Sequence, residues 1–102
     1  MAFEIIIKHV VIDDATDIVT YYTQESDALG ERFYNQLLAT LIKIQTNPFT
    51  FSYVKKPVRR CKLSKFPYKI YYTINGNTIF ILGVAHAKRS NAFVRRRLKL
   101  LK

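Results

Sequence analysis

The spacing of apolar residues changes near the middle of the chain. Between residues 15 and 46 they recur at intervals of three and four positions, the spacing of helices that bury one face. After residue 57 they recur at intervals of two, which is typical of strands. The pattern predicts strands at residues 3–8, 58–63, 68–74 and 78–86, and helices at about 15–23, 28–46 and 91–101.

Polar residues with short side chains mark the ends of the predicted helices. Asp13 and Asp14 are predicted to cap the first helix, because a carboxylate accepts hydrogen bonds from the free N–H groups of a first turn. Ser26 or Asp27 is predicted to cap the second helix in the same way. The Asn-Pro pair at 47–48 ends it, since proline disfavours helical geometry in the residue before it. Two helices joined by so short a turn are expected to pack antiparallel as a hairpin.

Turn residues separate the predicted strands. Asn75-Gly76-Asn77 predicts a tight hairpin between the last two strands, because Asn-Gly fits the positive φ of such a turn. The last strand is apolar on both faces, which predicts an interior position in the sheet. Residues 49–57 are predicted to form a loop, and Ser90 is predicted to cap the final helix. The order is β-α-α-β-β-β-α, which indicates a single α+β domain over residues 1–102. Its sheet is expected to be four-stranded and mostly antiparallel, with the helical hairpin on one face.

The charges are divided between the two parts of the chain. All seven acidic residues lie at or before Glu31, whereas only Lys8, Arg32 and Lys43 of the 17 Lys and Arg residues precede residue 55. The net charge of +10 is therefore concentrated in the second part, where no carboxylate offsets it. Uncompensated cations of this kind are typical of proteins that bind a polyanion or a strongly acidic protein.

The composition argues against several classes of protein. There is no run of 18 apolar residues for a transmembrane helix, and no basic and apolar leader for secretion. The single Cys61 cannot form an internal disulfide, so the predicted location is the reducing cytoplasm. No pair of Cys and His residues has metal-ligand spacing, and no glycine-rich phosphate loop, catalytic triad or paired-carboxylate site is visible. No metal or cofactor is therefore expected.

The remaining candidates for function are basic and aromatic. Arg60 and Lys62 alternate onto one face of their strand, and Lys69 and Tyr71 do the same on the next strand. Arg89 follows the last strand. If the helical hairpin covers one face of the sheet, the opposite face gathers these cations. Such a surface can bind phosphates along a nucleic acid, with Tyr71 available for base stacking.

Two features leave alternatives open. His86 is the one good candidate for proton transfer near neutral pH, and it fits equally well a hydrogen-bonding residue at a strand end. The Arg95-Arg96-Arg97 triplet fits a solvated helix face and a contact for an acidic partner equally well. Tyr68 and Tyr72 share the other strand face and are predicted to be core residues, and Cys61 is predicted to be a small buried hydrophobe.

Taken in order, the segments of the chain resemble the RelE/ParE superfamily of bacterial type II toxins. The resemblance spans nearly the whole sequence and rests on the element order and on the runs ATDIVTYY, LGERFYNQLLATLIKIQTNP, RRCKLSKFPYKIYYTI and TIFILGVAHAKR. It implies a small curved sheet with a helical hairpin on one face. It also implies a toxin that an antitoxin neutralises by wrapping it with an extended, partly disordered segment.

One activity in the superfamily is mRNA cleavage in the ribosomal A site without a metal. In RelE-like members the 2′-hydroxyl attacks the adjacent phosphate, and basic side chains stabilise the developing charge. The resemblance places such a catalytic site on Arg60, Lys62, Lys69, His86 and Arg89. The C-terminal tyrosine of those members falls near Phe93, which lacks the hydroxyl.

The other activity, that of ParE-like members, is inhibition of DNA gyrase. The runs Phe66-Pro67-Tyr68 and His86 to Arg89 look more like those members, so the chain is predicted to be a ParE-like gyrase inhibitor with an acidic or partly disordered antitoxin. RelE-like mRNA cleavage and a degenerate toxin that only binds its antitoxin are the alternatives. The residues predicted to contact a partner or nucleic acid are Arg59, Arg60, Lys62, Tyr71, Lys88, Arg89, Phe93, Arg95 and Arg96.

Overall fold

The structure, a computed structural model, describes residues 3–101 and confirms the predicted order of elements, with one additional strand. The strands are β1 Glu4–Ile7, β2 Tyr53–Lys55, β3 Val58–Lys62, β4 Tyr68–Asn75 and β5 Thr78–His86. The helices are α1 His9–Glu25, α2 Asp27–Thr46 and α3 Asn91–Lys99. Residues 1, 2 and 102 of the predicted domain lie outside the described range. One sheet runs in the order β1-β5-β4-β3-β2, in which β1 is parallel to β5 and the other neighbours are antiparallel.

The sheet has five strands rather than the four that the sequence predicted. The additional strand is β2, which lies within the segment predicted as a loop and pairs antiparallel with β3. Its register shifts between Tyr53 and Lys55. A strand of three residues is too short to show a period of two in the sequence, so only pairing with a neighbour identifies it.

The first helix begins at His9, several residues before the predicted start. Asp13 and Asp14 therefore lie inside α1, and the predicted N-cap role of both residues is wrong. Lys8 occupies the N-cap position without a side-chain cap. The earlier start lets Val11 pack into the core, where it is 4% exposed. Tertiary packing therefore outweighs the local capping preference.

Single residues end the helices of the hairpin as predicted. The Ser26 hydroxyl accepts a hydrogen bond from the Leu29 N–H at 3.0 Å, which satisfies one free donor of α2. Asn47 ends α2 directly before Pro48. Gly76 has a φ of 60° in the turn between β4 and β5, which confirms the predicted hairpin.

The main hydrophobic core lies between the helical hairpin and one face of the sheet. Phe33 and Ile44 of α2 are completely buried there, together with Ile70 and Tyr72 of β4. The Tyr72 hydroxyl donates a hydrogen bond to the Pro48 carbonyl oxygen at 2.6 Å. The prediction that Tyr72 is a core residue is confirmed.

A second, smaller core lies on the opposite face of the sheet, beneath α3. Phe93 and Val94 of α3 pack there on buried residues of the strands. These strand residues are Val58, Tyr71, Leu82 and Ala85. The sheet therefore has a helical layer on both faces, although α3 is short and covers only part of the second face.

A bulge in β5 adapts the strand to this second layer. Tyr71 lies opposite Gly83 and Tyr72 lies opposite Ile81, so Leu82 is an extra residue in the ladder. Ile81 belongs to the main core and Leu82 to the second core. An ideal Cβ at Gly83 would lie 2.8 Å from Arg97 Nη1 and 2.9 Å from Phe93 Cζ. The bulge therefore brings α3 so close to the strand that only glycine fits without displacement.

An ion pair joins α1 to α3 at this bulge. Arg97 Nη1 lies 2.6 Å from Asp14 Oδ2, and Arg97 Nη2 lies 2.7 Å from Asp14 Oδ1. Each side chain is only 15% exposed. The hydrogen bonds that Arg97 donates to Asp14, together with the negative charge of that carboxylate, raise the pKa of Arg97. A half-buried carboxylate with two parallel hydrogen bonds to a guanidinium is a strong form of ion pair.

The same two side chains cap an uncovered stretch of the β5 edge. Pairing with β1 ends at Ile81, so the backbone of β5 beyond it has no neighbouring strand on that side. The Val84 N–H donates to Asp14 Oδ2 at 3.1 Å, and Arg97 Nη1 donates to the Leu82 carbonyl oxygen at 3.1 Å. The pair therefore satisfies backbone groups that would otherwise remain unpaired near the interior.

We expect the free energy of unfolding to fall as the pH rises from about 10 to about 12. Burial raises the pKa of Tyr72 from 10.0 to about 12, although the Arg59 charge opposes the shift. The Tyr72 hydroxyl therefore loses its proton at a lower pH in the unfolded chain than in the folded one. Between pH 10 and pH 12 this difference lowers the free energy of unfolding by up to about 2 kcal/mol. Chemical denaturation across this range measures the slope. The Tyr72→Phe variant should be less stable, but its free energy of unfolding should depend less on pH in this range. An equally strong pH dependence in the variant would contradict the assignment to Tyr72.

We expect Asp14→Ala and Arg97→Ala each to lower the free energy of unfolding by about 3 kcal/mol. Each substitution leaves the other charge half-buried without its partner. The double variant should lose clearly less than the sum of the two, which a double-mutant cycle in urea measures. Arg96→Ala, exposed on the same helix, is the matched control and should change stability by less than about 0.5 kcal/mol. Strictly additive losses would show that the two side chains do not act together.

We expect Gly83→Ala to destabilise the fold by about 1–3 kcal/mol, because the added methyl group overlaps Arg97 and Phe93. Thermal or urea unfolding measures the loss. In an Arg97→Ala background the same substitution should cost less, since the nearest overlapping atom is then absent. An equal cost in both backgrounds would place the clash elsewhere.

Candidate cationic surface

The pairing of β3 with β4 places three cationic side chains next to one another. Arg60 lies opposite Tyr71, and Lys62 lies opposite Lys69. Residues directly opposite each other project from the same face of a sheet. The predicted grouping of Arg60, Lys62 and Lys69 on one face is therefore confirmed, and we call these residues the β3–β4 cations.

The β3–β4 cations share their sheet face with α3. Val58 and Tyr71, the neighbours of Arg60 on this face, are buried in the second core. Arg60 is half-buried, and its Nη1 donates a hydrogen bond to the Tyr53 carbonyl oxygen at 2.9 Å. The expectation of a face free of helices is therefore wrong near Arg60, and the solvated part of the surface begins at Lys62.

Both aromatic residues predicted as contacts lie in the second core. Tyr71 is 3% exposed and Phe93 is 4% exposed, and their ring centroids are 6.2 Å apart. Burial raises the pKa of the Tyr71 hydroxyl, whereas the charge of Arg60 lowers it. The expectation that Tyr71 stacks on a nucleic-acid base is wrong in this conformation, because α3 covers the ring. Phe93 is likewise a packing residue rather than an exposed contact.

Arg59 projects from the opposite face and holds the segment before β2. Its Nη1 donates to the carbonyl oxygens of Phe49 at 3.1 Å and Phe51 at 2.7 Å, and its Nη2 donates to the Tyr53 hydroxyl at 3.0 Å. The guanidinium carbon also lies 4.1 Å from the centre of the Tyr53 ring. With these bonds in place, Arg59 stabilises the chain entry to β2 rather than presenting a free cation.

His86 is exposed at the end of β5, on the face that carries the helical hairpin. It lies opposite Tyr68, at a ring separation of 5.5 Å, and Tyr68 packs against Phe33 of α2. The Lys88 N–H donates to His86 Nδ1 at 3.2 Å, so the neutral imidazole carries its proton on Nε2. The His86 side chain therefore projects from the sheet face opposite to that of the β3–β4 cations.

The Arg89 side chain lies against α3. Its N–H donates to the His86 carbonyl oxygen at 2.8 Å, which closes a turn after β5. The Arg89 guanidinium carbon lies 4.7 Å from the centre of the Phe93 ring, and Arg97 packs on the same ring at 4.5 Å. Of the predicted catalytic set, Arg60, Lys62 and Lys69 share one sheet face, whereas His86 and Arg89 lie at the end of β5.

A polar hollow of about 380 Å³ lies at that location. Asp14 and Asp17 of α1 contribute to its wall, together with His86, Arg89 and Arg97. The sequence has no carboxylate after Glu31, yet folding carries two from the first helix to the basic end of β5. Sequence reasoning missed them because they are more than sixty residues away in the chain.

The remaining predicted contacts are solvated. Lys88, Arg95 and Arg96 are exposed after β5 and on α3. Within residues 3–101, Arg97 with Asp14 is the one ion pair formed by a Lys or Arg residue, and His9 Nε2 lies 3.5 Å from Asp13 Oδ1. Every other cation of the second part that the structure describes therefore lacks a carboxylate within bonding distance, and the surface remains electrostatically uncompensated.

This arrangement can bind and orient an anion, but its residues are unsuited to holding a metal. In the part of the chain that the structure describes, no group of three or more His, Cys, Asp and Glu residues is placed to ligate an ion. None of the described helices is both long and apolar enough to cross a membrane.

Solved structures with a similar fold are bacterial toxins. The chromosomal ParDE toxin–antitoxin system from P. aeruginosa matches with a TM-score of 0.73 at 14% identity, over 82% of this chain and 95% of that one. A mutant E. coli RelE toxin in the free state matches with a TM-score of 0.64 at 15% identity, over 100% of both chains. The isolated E. coli RelE toxin matches with a TM-score of 0.63 at 15% identity, over 97% of this chain and 99% of that one.

The sequence gives a more specific result than these fold similarities. No curated protein matches the chain. The model of the family described as the ParE toxin of the type II toxin–antitoxin system parDE, however, matches residues 5–91. That match extends from β1 to the first residue of α3 and includes the hairpin, the sheet and the turn after β5. The chain therefore belongs to the ParE toxin family of type II toxin–antitoxin systems.

Proposed function

We propose that the protein inhibits DNA gyrase and that an acidic, partly disordered antitoxin neutralises it. Membership of the ParE toxin family across residues 5–91 is the observation that carries the proposal. Inhibition of a large enzyme requires a shaped binding surface and no proton-transfer chemistry. The exposed cations Lys62, Arg95 and Arg96, together with the half-buried Lys69, supply such a surface.

The positions of the predicted catalytic residues support inhibition over cleavage. RNA cleavage by a 2′-hydroxyl needs a group that accepts a proton beside cations that stabilise the phosphate. Here the β3–β4 cations lie on the α3 face, whereas His86 packs against Tyr68 on the hairpin face. Phe93, near the position of the RelE-like tyrosine, is buried and has no hydroxyl.

Two different surfaces, one cationic and one apolar, support an antitoxin that covers much of the protein. The uncompensated cations attract acidic segments to the α3 face. On the other side, an apolar groove of about 390 Å³ runs along the hairpin and is lined by residues such as Ile12, Val19 and Tyr34. Such a groove can bury apolar side chains of a partner.

RelE-like mRNA cleavage is the second candidate, because Lys62 and Lys69 lie side by side as a phosphate-binding pair would. The test combines gyrase supercoiling with mRNA cleavage on programmed ribosomes. We expect the wild-type protein to inhibit supercoiling and leave mRNA intact. Lys62→Ala with Lys69→Ala should weaken inhibition at least about tenfold, because it removes two neighbouring cations. His86→Ala should have little effect on it.

The matched control is Arg32→Ala with Lys43→Ala, which removes two exposed cations from α2 on the other side of the sheet. It should inhibit gyrase as well as the wild type does. If the protein instead cuts mRNA, and His86→Ala slows the cutting by about 10²–10⁴, the RelE-like function holds. If neither activity is found while an antitoxin still binds tightly, the protein is a degenerate toxin.

A further inference from the structure

We propose that the slot between β2 and α3 binds one aliphatic side chain of an acidic peptide segment. The slot has a volume of about 220 Å³. Its walls are Val54, Val58, Val94 and Leu98, and its rim carries Lys55, Lys56, Asn91 and Arg95. An apolar pocket surrounded by cations, with no anion among the lining residues, selects a partner that is apolar at one point and acidic around it.

The slot follows from how β2 and α3 meet the second core. Val58 and Val94 are buried and form its floor, whereas Val54 and Leu98 are half-buried at the edges of the same core. The register shift in β2 leaves that strand irregularly paired with β3. The slot is thus an open extension of the second core rather than a gap between unrelated side chains.

The size of the slot favours a side chain over a free ligand. Pockets for drug-sized molecules have volumes of roughly 300–1,000 Å³, and this slot is smaller. A single branched side chain suits a space of this size, in the way that an anchor residue fills a pocket at a protein interface. Its hydrophobic burial would then add to the attraction between charges.

The rim charges define what surrounds the anchor. Lys55, Lys56 and Arg95 are exposed and have no carboxylate within bonding distance among the described residues. Asp and Glu residues on both sides of the anchor would face these cations.

The lining favours a peptide over a nucleic acid. Single-stranded nucleic acid binds where aromatic rings stack on its bases beside the cations. All four walls of this slot are aliphatic, and the aromatic rings of Tyr71 and Phe93 are buried in the second core instead. The slot therefore deepens the proposed function, because it rests on an acidic partner and names the contact that such a partner makes.

The test uses short fluorescein-labelled peptides in which one central residue is flanked by Asp and Glu. The central residue is Leu, Ala or Lys, and binding is followed by fluorescence polarisation. We expect the Leu peptide to bind about tenfold more tightly than the Ala peptide, because the larger side chain buries more apolar area. Methyl NMR should show shifts at Val54, Val94 and Leu98, and none at Leu37 in the main core.

Charge reversal tests the rim. Lys55→Glu with Arg95→Glu should weaken binding of the Leu peptide more than tenfold. Arg32→Glu with Lys43→Glu makes the same change in net charge on α2 and should have a much smaller effect. Thermal unfolding of both variants checks that they fold. Equal binding of the Leu and Ala peptides, or equal effects of the two charge reversals, would overturn the proposal. So would an oligothymidylate that shifts the same methyl groups as strongly as the Leu peptide does.

Gyrase supercoiling on the same proteins separates this inference from the proposed function. A wild-type protein that binds the Leu peptide as expected but leaves gyrase active would remove the gyrase proposal and support the slot. A protein that inhibits gyrase but does not distinguish Leu from Ala would retain the gyrase proposal and overturn the slot.

Discussion

The bidentate pair between Asp14 and Arg97 holds the two helical layers together across the end of the sheet. Its oxygens and nitrogens reach the backbone of β5 as well as each other, at distances between 2.6 and 3.1 Å. Without it, α3 would rest on the second core alone, and the uncovered edge of β5 would expose unpaired groups. The pair thereby ties α3, which carries the exposed Arg95 and Arg96, to α1 and β5.

The placement of α3 decides what the cationic surface can do. Because Phe93 of α3 packs on Tyr71, both aromatic rings are buried while cations of the same face remain exposed. Because His86 ends β5 with its side chain on the hairpin face, the proton-transfer candidate projects from the face opposite to that of Lys62 and Lys69. The result is a surface suited to binding an acidic partner, with an apolar slot at its side, rather than a compact catalytic site.

The grouping of Arg60, Lys62 and Lys69 could be predicted because it depends on the local period of two and on a short connection between adjacent strands. The burial of Tyr71 could not, because the residues that cover it come from a helix some twenty positions later. The spacing of four residues places Arg97 on the same helix face as Phe93, apart from Arg95 and Arg96, but it does not reveal the partner of Arg97. In the structure Arg95 and Arg96 are exposed, whereas Arg97 pairs with Asp14.

The sequence by itself determined the order of helices and strands, the hairpin turn at Gly76, the cap at Ser26 and the one-sided charge, because each depends on residues that are close in the chain. Tertiary structure decided the rest. Asp14 looked like a helix cap and became half of an ion pair with a residue 83 positions away. The short strand β2 is defined by its pairing with β3, and the bulge at Leu82 by the register of β5 against β4. Such features depend on packing between distant segments, which local periodicity does not record.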